Sequence, residues 1–395
     1  MSDAQFMRLA LRLARRGHGT TSPNPMVGVV LVKGGKIIGR GWHRRAGLPH
    51  AEIEALRDAQ KRGLDPRGAT LYVTLEPCCT HGRTPPCTDT IIAAGIKRVV
   101  IGTVDPNPKH AGRAFRILKR AGMMVTKVGS SRRDDRTARC AVPTKLANQC
   151  VLLNEAFNHW IVHHTPFVTV KAAMTLDGKI ATASGESKWI TGAQARAHGM
   201  KLRQGADAIL VGINTILVDN PSLTARSQKS EVRSQNKSLR LRRIVLDSLA
   251  RTPLAAKVVS DEFTALTTIV VSKSAPKNRV AALAGRVNVL TAPLANSKLK
   301  TQNPKLDLRW LLKKLGAENV TSLLVEGGGE VNASFLLGGF AHRIAFFYAP
   351  KILGGRDSRK AVAGDGAKSL ADALRLRDVE WRRLGPDLLL TARVD

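Results

Sequence analysis

Four residues in the first third of the chain constrain its fold more than any others: His50, Glu52, Cys78 and Cys87. They stand in the runs His50-Ala51-Glu52, Glu76-Pro77-Cys78 and then Cys87. One imidazole and two thiolates make a zinc donor set that leaves a fourth position open to water. Zinc in such a site lowers the pKa of that water towards neutrality. A carboxyl group two residues from the imidazole, not itself a ligand, is placed to carry a proton from the water to a leaving group. Whatever the chain folds into must therefore bring these separate segments to one point.

The hydrophobic pattern around them alternates strands and helices. VGVVLVK (27–33) and KIIGRG (36–41) flank Gly34-Gly35 and read as a hairpin. A helix is predicted over about 50–62, a strand at 69–76 and a helix from near Pro86 to the stop at Gly95. A strand at 97–104, a helix at about 112–121 and a strand at 123–128 complete the series. A hairpin followed by βαβ units predicts a mixed sheet covered by helices. At the N-terminus, Phe6, Leu9, Ala10 and Leu13 repeat at helical spacing. That stretch reads as a folded helix rather than a cleaved targeting segment, so the cytoplasm is the expected compartment.

The polar run SSRRDDRTAR and the helical stretch LANQCVLLNEAFNHWI read as a connecting region between about 130 and 165. A second α/β pattern opens at FVTVKAAMTLDG and continues through 205–212, 242–248, 267–273 and 321–330. Residues 226–241 are polar, lack aromatic side chains and read as a loop. Gly327-Gly328-Gly329 falls between a predicted strand and a predicted helix, where a bare backbone and a helix N-terminus favour a phosphate. It is not the G-x-G-x-x-G of the ordinary dinucleotide fold.

Charge and cysteine content narrow the partners. The formal net charge is +33, and the parts 1–150 and 151–395 carry +17 and +16. So even a division describes a basic surface better than a dedicated nucleic-acid footprint, which would cluster. Five cysteines are too few, and odd in number, for a disulfide framework. No run approaches the ~18 apolar residues of a membrane span.

The order H-x-E…P-C…C is that of zinc nucleobase deaminases, here with eight residues between the cysteines. With that gap, TSPNPMVG (21–28), HAE (50–52), LEPCCTHGRTPPC (75–87) and DPNP (105–108) resemble the bifunctional riboflavin-biosynthesis deaminase/reductases. The resemblance continues through KAAMTLDGKIATASGESKWIT (171–191), GINTILVDNPSLTAR (212–226), VEGGGEVNASF (325–335) and APKILGG (349–355). Cys79-Thr80 departs from it, since the family has Ser then His there. The resemblance implies a cytidine-deaminase-like mixed sheet with helices on both faces over 1–145. It implies a dihydrofolate-reductase-like α/β domain over 146–395. It further implies deamination of 2,5-diamino-6-ribosylamino-4(3H)-pyrimidinone 5′-phosphate, followed by NADPH-dependent reduction to 5-amino-6-ribitylamino-uracil 5′-phosphate. One zinc per chain, a homo-oligomer and no membrane or nucleic-acid requirement go with it.

The resemblance also assigns residues. His50, Cys78 and Cys87 would hold zinc, and Glu52 would be the catalytic proton carrier. Asn24, in Pro-Asn-Pro, would read the edge of the pyrimidine, with simple turn formation as its alternative. Arg83 would meet the substrate phosphate; His43 and Asn107 are weaker candidates. In the second half, Ser187, Arg203, Leu223, Arg226 and Glu326 would meet substrate, with Arg203 and Arg226 as phosphate partners. Ala173, Trp189, Thr215, Asp219 and Ser248 would line NADPH, together with Gly328, Gly329, Glu330, Val331, Asn332, Ala333 and Ser334. Lys171 and Glu326 are candidates for handling protons. The alternative reading is a zinc deaminase acting on a base in RNA. The +33 charge favours it, and a nicotinamide half, which such an enzyme has no use for, opposes it.

Overall fold

The computed structural model of the protein describes residues 1–81, 85–129, 143–225, 241–295 and 305–395. The chain forms two compact units, Met1–His164 and Thr165–Asp395.

The first unit is built on strands β1 (Gly28–Lys33), β2 (Lys36–Trp42), β3 (Thr70–Val73), β4 (Arg98–Ile101) and β5 (Met124–Lys127). They form a five-stranded sheet in the order β2-β1-β3-β4-β5. β1 is antiparallel to β2 and β3, whereas β3, β4 and β5 run parallel, so the sheet is mixed as the pattern predicted. Gly34 and Gly35 both have positive φ, +57° and +72°, which the tight hairpin between β1 and β2 requires. Alternation sorts the strand side chains. Val29, Leu31, Leu71, Val73, Val99 and Ile101 enter one core, and Val30, Tyr72 and Val100 enter the other.

Helices α1 (Asp3–Ala14), α2 (Ala51–Lys61), α3 (Cys87–Ala93), α4 (Arg113–Arg120), α5 (Thr144–Leu153) and α6 (Glu155–His163) complete this unit. Ala51, Ala55, Ile91 and Leu118 bring α2, α3 and α4 to one face of the sheet. Phe6, Met7, Leu11, Leu146 and Cys150 bring α1 and α5 to the other. The compact unit therefore ends after His164, at the far side of the connecting region. Residues 146–164, which the sequence reading grouped with the second half, are tied to the first unit by Leu146 and Cys150. One close approach sets the position of α2. A Cβ on Gly39 or Gly41 of β2 would stand 2.3 or 2.2 Å from the carbonyl oxygens of Ala55 and Ala51. Only glycine lets the helix lie this close to the strand, and the start of α2 carries His50 and Glu52.

The second unit contains β6 (Phe167–Thr175), β7 (Lys179–Ala181), β8 (Ala208–Gly212), β9 (Arg242–Leu246), β10 (Thr267–Ser272), β11 (Asn288–Ala292), β12 (Ser322–Val325), β13 (Arg343–Ala349), β14 (Arg359–Lys360), β15 (Leu376–Leu384) and β16 (Asp387–Val394). Nine of them form one sheet in the order β11-β10-β9-β8-β12-β6-β13-β16-β15, and β7 pairs with β14. The sheet is parallel from β11 to β13 and antiparallel through β13, β16 and β15. Its helices are α7 (Ala193–Gln204), α8 (Ile213–Asp219), α9 (Lys257–Ser260), α10 (Lys277–Ala284), α11 (Leu308–Ala317) and α12 (Gly329–Leu336). The centres of β8, β9, β10 and β12 (Ala208–Val211, Ile244–Leu246, Ile269–Val271 and Leu323–Val325) are consecutive apolar residues because both faces of these strands are covered. Apart from Leu241, the polar stretch 226–241 lies outside the described residues. Among the described residues, no helix is long and apolar enough to cross a membrane.

Candidate active sites

His50 is the residue that immediately precedes α2, and Cys87 is the first residue of α3. Cys78 comes from the loop after β3. The imidazole Nδ1 of His50 lies 3.3 Å from Cys87 Sγ and 3.5 Å from Cys78 Sγ. All three donor atoms fall within 4.8 Å of one another. Tetrahedral zinc, with bonds of about 2.0–2.3 Å, needs ligand edges of roughly 3.5 Å, so this donor set fits the metal in both chemistry and spacing. The Cys87 N–H also donates to Cys78 Sγ, at 3.3 Å. The Cys87 hydrogen bond, opposed by burial and helped by His50, holds the Cys78 thiol at about 4. The same hydrogen bond, together with burial, drives Cys87 up, so the pair shares one proton and Cys78 carries the thiolate. Cys79 points elsewhere: its Sγ is 3.6 Å from His110 Nδ1. His81 is exposed.

Glu52 lies in the first turn of α2 and is buried, 3% exposed. Burial, reinforced by the Cys78 thiolate and opposed by His50, raises its carboxyl to about 7. It shares a cavity of about 320 Å³ with His50, Cys78, Asn24, His43 and Asn107. Asn24 Nδ2 donates to His43 Nε2 at 3.2 Å, and His43 Nδ1 donates to the Pro49 carbonyl at 3.2 Å. That network selects the Nδ1–H tautomer of His43. It leaves the Asn24 carbonyl oxygen and its second N–H for a ligand. Arg83 lies outside the described residues.

Sequence reasoning missed several contributors to this cavity. Glu76 is buried, and its carboxylate accepts from the N–H groups of Asp105 (3.1 Å), Gly112 (2.9 Å) and Ala114 (3.0 Å). It thereby fixes the loop that brings Asn107 and His110 to the cavity. Its place directly before Pro77-Cys78 was the available signal. Phe157, Trp160 and Ile161, from a helix read only as a connection, form another wall.

The second unit holds a larger cavity, of about 800 Å³, near the carboxyl ends of β6, β8 and β12. Ligands of parallel α/β sheets bind at that edge. Of the residues expected at a cofactor, Ala173, Trp189, Thr215, Asp219 and Gly328 line it; of those expected at a substrate, Ser187, Arg203, Leu223 and Glu326 do. Ser248, Gly329, Glu330, Val331, Asn332, Ala333 and Ser334 are not among its lining residues. Ser248 instead uses its carbonyl to accept from Ser272 N and Oγ. Asn332 and Ala333 are buried in α12, and the Ser334 hydroxyl donates to the Glu330 carbonyl. Arg226 lies outside the described residues.

Two features of this cavity bear on its ligand. Gly328 immediately precedes α12, and a Cβ built there would meet nothing within 4 Å, so bare backbone at a helix N-terminus faces open space. This is the cradle an anionic cofactor needs. Glu326, its side chain 10% exposed, lies in a cationic cluster with Lys171 Nζ 3.6 Å away. Burial alone would raise its carboxyl, but Lys171 and Arg203 outweigh that and hold it at about 2. It is thus an acceptor, not a proton donor. A missed residue, Arg243, is also buried. It makes two hydrogen bonds to Asp261, at 2.6 and 2.8 Å, and one to the Ser222 carbonyl at 3.0 Å, anchoring the loop that carries Leu223.

Two family models match the chain. One describes the RibD C-terminal domain, over residues 166–390, and the other the cytidine and deoxycytidylate deaminase zinc-binding region, over residues 1–103. The riboflavin biosynthesis protein RibD of Actinobacillus pleuropneumoniae is 42% identical over 393 residues, covering 99% of this chain and 95% of the relative. That of Escherichia coli K12 is 38% identical over 397 residues, covering 99% of each. Among solved structures, Acinetobacter baumannii RibD superposes with a TM-score of 0.79 at 32% identity, covering 100% of this chain and 99% of the other. The diaminohydroxyphosphoribosylaminopyrimidine deaminase/5-amino-6-(5-phosphoribosylamino)uracil reductase of Thermotoga maritima gives 0.77 at 33%, with 100% and 99% covered.

Proposed function

Because the chain belongs to the RibD family of bifunctional riboflavin-biosynthesis deaminase/reductases, we propose that it deaminates 2,5-diamino-6-ribosylamino-4(3H)-pyrimidinone 5′-phosphate in its first unit and reduces the product in its second. The observation that carries this reading is the His50–Cys78–Cys87 donor triangle sharing one cavity with the buried Glu52. His50, Cys78 and Cys87 hold zinc, which when bound supplies a Lewis acid that makes water a nucleophile near neutral pH. Glu52 accepts the proton that the attacking water gives up and returns it to the departing amine, leaving a carbonyl on the ring. Asn24, oriented by its hydrogen bond to His43, offers its carbonyl oxygen to a ring N–H. Arg83 is assigned to the substrate phosphate.

In the second unit NADPH supplies the hydride, and the protein's part is placement. Gly328 and the start of α12 receive a phosphate of the cofactor. Ala173, Trp189, Thr215 and Asp219 flank it, with Ser248 and residues 329–334 assigned to its outer parts. Ser187, Leu223 and Arg226 are assigned to the substrate. Glu326 keeps Arg203 and Lys171 in place, and Lys171 is the group that delivers a proton to the sugar oxygen as the ribosyl chain opens to ribityl. A cytoplasmic location and a homo-oligomeric state belong to the same reading.

The test is incubation of purified protein with the diaminopyrimidine phosphate, with and without NADPH, followed by mass analysis. Without cofactor, one amine should be exchanged for oxygen; with it, two further hydrogens should appear. Deamination of RNA but not of the free nucleotide would replace this reading.

A further inference from the structure

The zinc-binding region matched by the family model ends at residue 103, yet the cavity around the zinc donors is not closed by that region alone. Phe157, Trp160 and Ile161 of α6 line it as well. They stand at i, i+3 and i+4, so one face of the helix is turned to the cavity. The Phe157 and Trp160 rings pack together, centroids 6.5 Å apart.

The helix is held there by a two-ended hydrogen-bonded contact. Asn154, at the junction of α5 and α6 and only 4% exposed, spends both ends of its amide on one residue of the opposite wall. Its Oδ1 accepts from the Met26 N–H at 2.8 Å, and its Nδ2 donates to the Met26 carbonyl at 2.9 Å. Met26 belongs to the segment 23–27, which supplies Pro23, Asn24, Pro25 and Val27 to the same cavity. A backbone N–H and C=O satisfied by one buried side chain fix the distance between the two walls. In a cavity of about 320 Å³, a six-membered ring that reaches the zinc donors at one wall has little room to avoid the aromatic face at another.

We infer that α6 completes the deaminase site: Phe157 and Trp160 are specificity-determining residues that receive the flat face of the substrate's pyrimidine, and Asn154 is the positioning residue that sets their distance from the 23–27 wall. This rests on the assignment of deamination to the His50–Cys78–Cys87 cavity. Apolar rings suit a pyrimidine because stacking tolerates its polar edge, which is left to Asn24 and its neighbours.

The experiment uses the full chain, with zinc content as the check on the first unit and reduction of the deaminated intermediate as the check on the second. Trp160→Ala should raise the KM for deamination on the order of tenfold while kcat changes less, and Trp160→Phe should recover most of the loss. Asn154→Ala should also raise KM in zinc-replete protein. A residue that merely stabilised the fold would instead lower activity in step with zinc content, at unchanged KM. If Trp160→Ala loses its zinc, Phe157→Leu asks the same question with a smaller change of volume. Zinc-replete variants with wild-type KM overturn the inference. Wild-type protein that leaves the diaminopyrimidine phosphate untouched overturns the parent reading, and this one with it.

Discussion

Arg203 grips Glu326 with two parallel hydrogen bonds, Nε to Oε1 and Nη2 to Oε2, each 2.9 Å long. A third donor of the same guanidinium, Nη1, reaches the Thr224 carbonyl at 3.2 Å. Sequence reasoning placed Arg203 and Glu326 separately against the substrate, with Arg203 on its phosphate. In the fold they are first of all partners, and the pair spans the cavity floor between α7 and the strand end before Gly327. An arginine already held by a carboxylate has fewer donors left for a phosphate.

The pH dependence of this pair follows from its geometry. Glu326 falls from 4.5 to about 2 in the folded protein. A depressed carboxyl stabilises the fold fully above its unfolded pKa, and that contribution disappears as pH falls from about 4.5 towards 2. Urea midpoints for the second unit of wild type and Glu326→Gln should therefore differ most at neutral pH and converge only as pH approaches about 2. A difference that grows on acidification would contradict the ion-pair account.

Removing one zinc donor should remove metal and chemistry together. Cys87→Ser takes away a sulfur donor that sits 3.3 Å from His50 Nδ1. We expect zinc to be lost on dialysis and deamination with it, while NADPH-dependent reduction continues. Elemental analysis finding full zinc in both Cys87→Ser and Cys78→Ala would reject this ligand set.

Glu52→Gln should separate metal from catalysis. The amide keeps the size of the buried side chain but cannot shuttle a proton. Zinc should stay bound and deamination should drop by at least ~10²-fold, the usual contribution of a positioned acid/base. Near-normal turnover in a steady-state assay would refute the role.

The two cavities draw their walls from different units, so their activities should be separable. Gly328→Asp places bulk and negative charge in the open space above α12. It should abolish NADPH use and spare deamination. Glu52→Gln should do the reverse, leaving reduction of the supplied intermediate intact. Circular dichroism confirms folding, and loss of both activities in either folded variant would contradict independent sites.

Arg243 makes a stability prediction away from the chemistry. It is 1% exposed and has Asp261 as its counter-ion. Asp261→Ala leaves a buried guanidinium uncompensated and should destabilise the second unit by about 3 kcal/mol, the lower end for a broken buried pair because Asp261 retains some exposure. A midpoint unchanged in urea would show the arginine satisfied by Ser222, Val258 and Thr267 alone.

The features legible in the sequence were those that chemistry or local geometry restricts to a few residue types. Zinc accepts few donors, so His50, Cys78 and Cys87 stand out, and Glu52 stands out by its spacing from them. The apolar run at 27–33 marked β1, and paired glycines gave the hairpin. What tertiary structure alone decided was which distant groups meet. Asn154 bonds to Met26 across 128 residues and Arg203 to Glu326 across 123. Periodicity tells which face of α6 is apolar but not that this face closes a cavity begun at residue 23. A largely buried carboxylate such as Glu76 or Glu326 reads in sequence as any other acid, because its partners are backbone N–H groups or cations that only folding brings within hydrogen-bond or ion-pair distance. The chain's residues therefore fixed the chemistry available, and the packing of its helices on the two sheets decided which of those residues share a site.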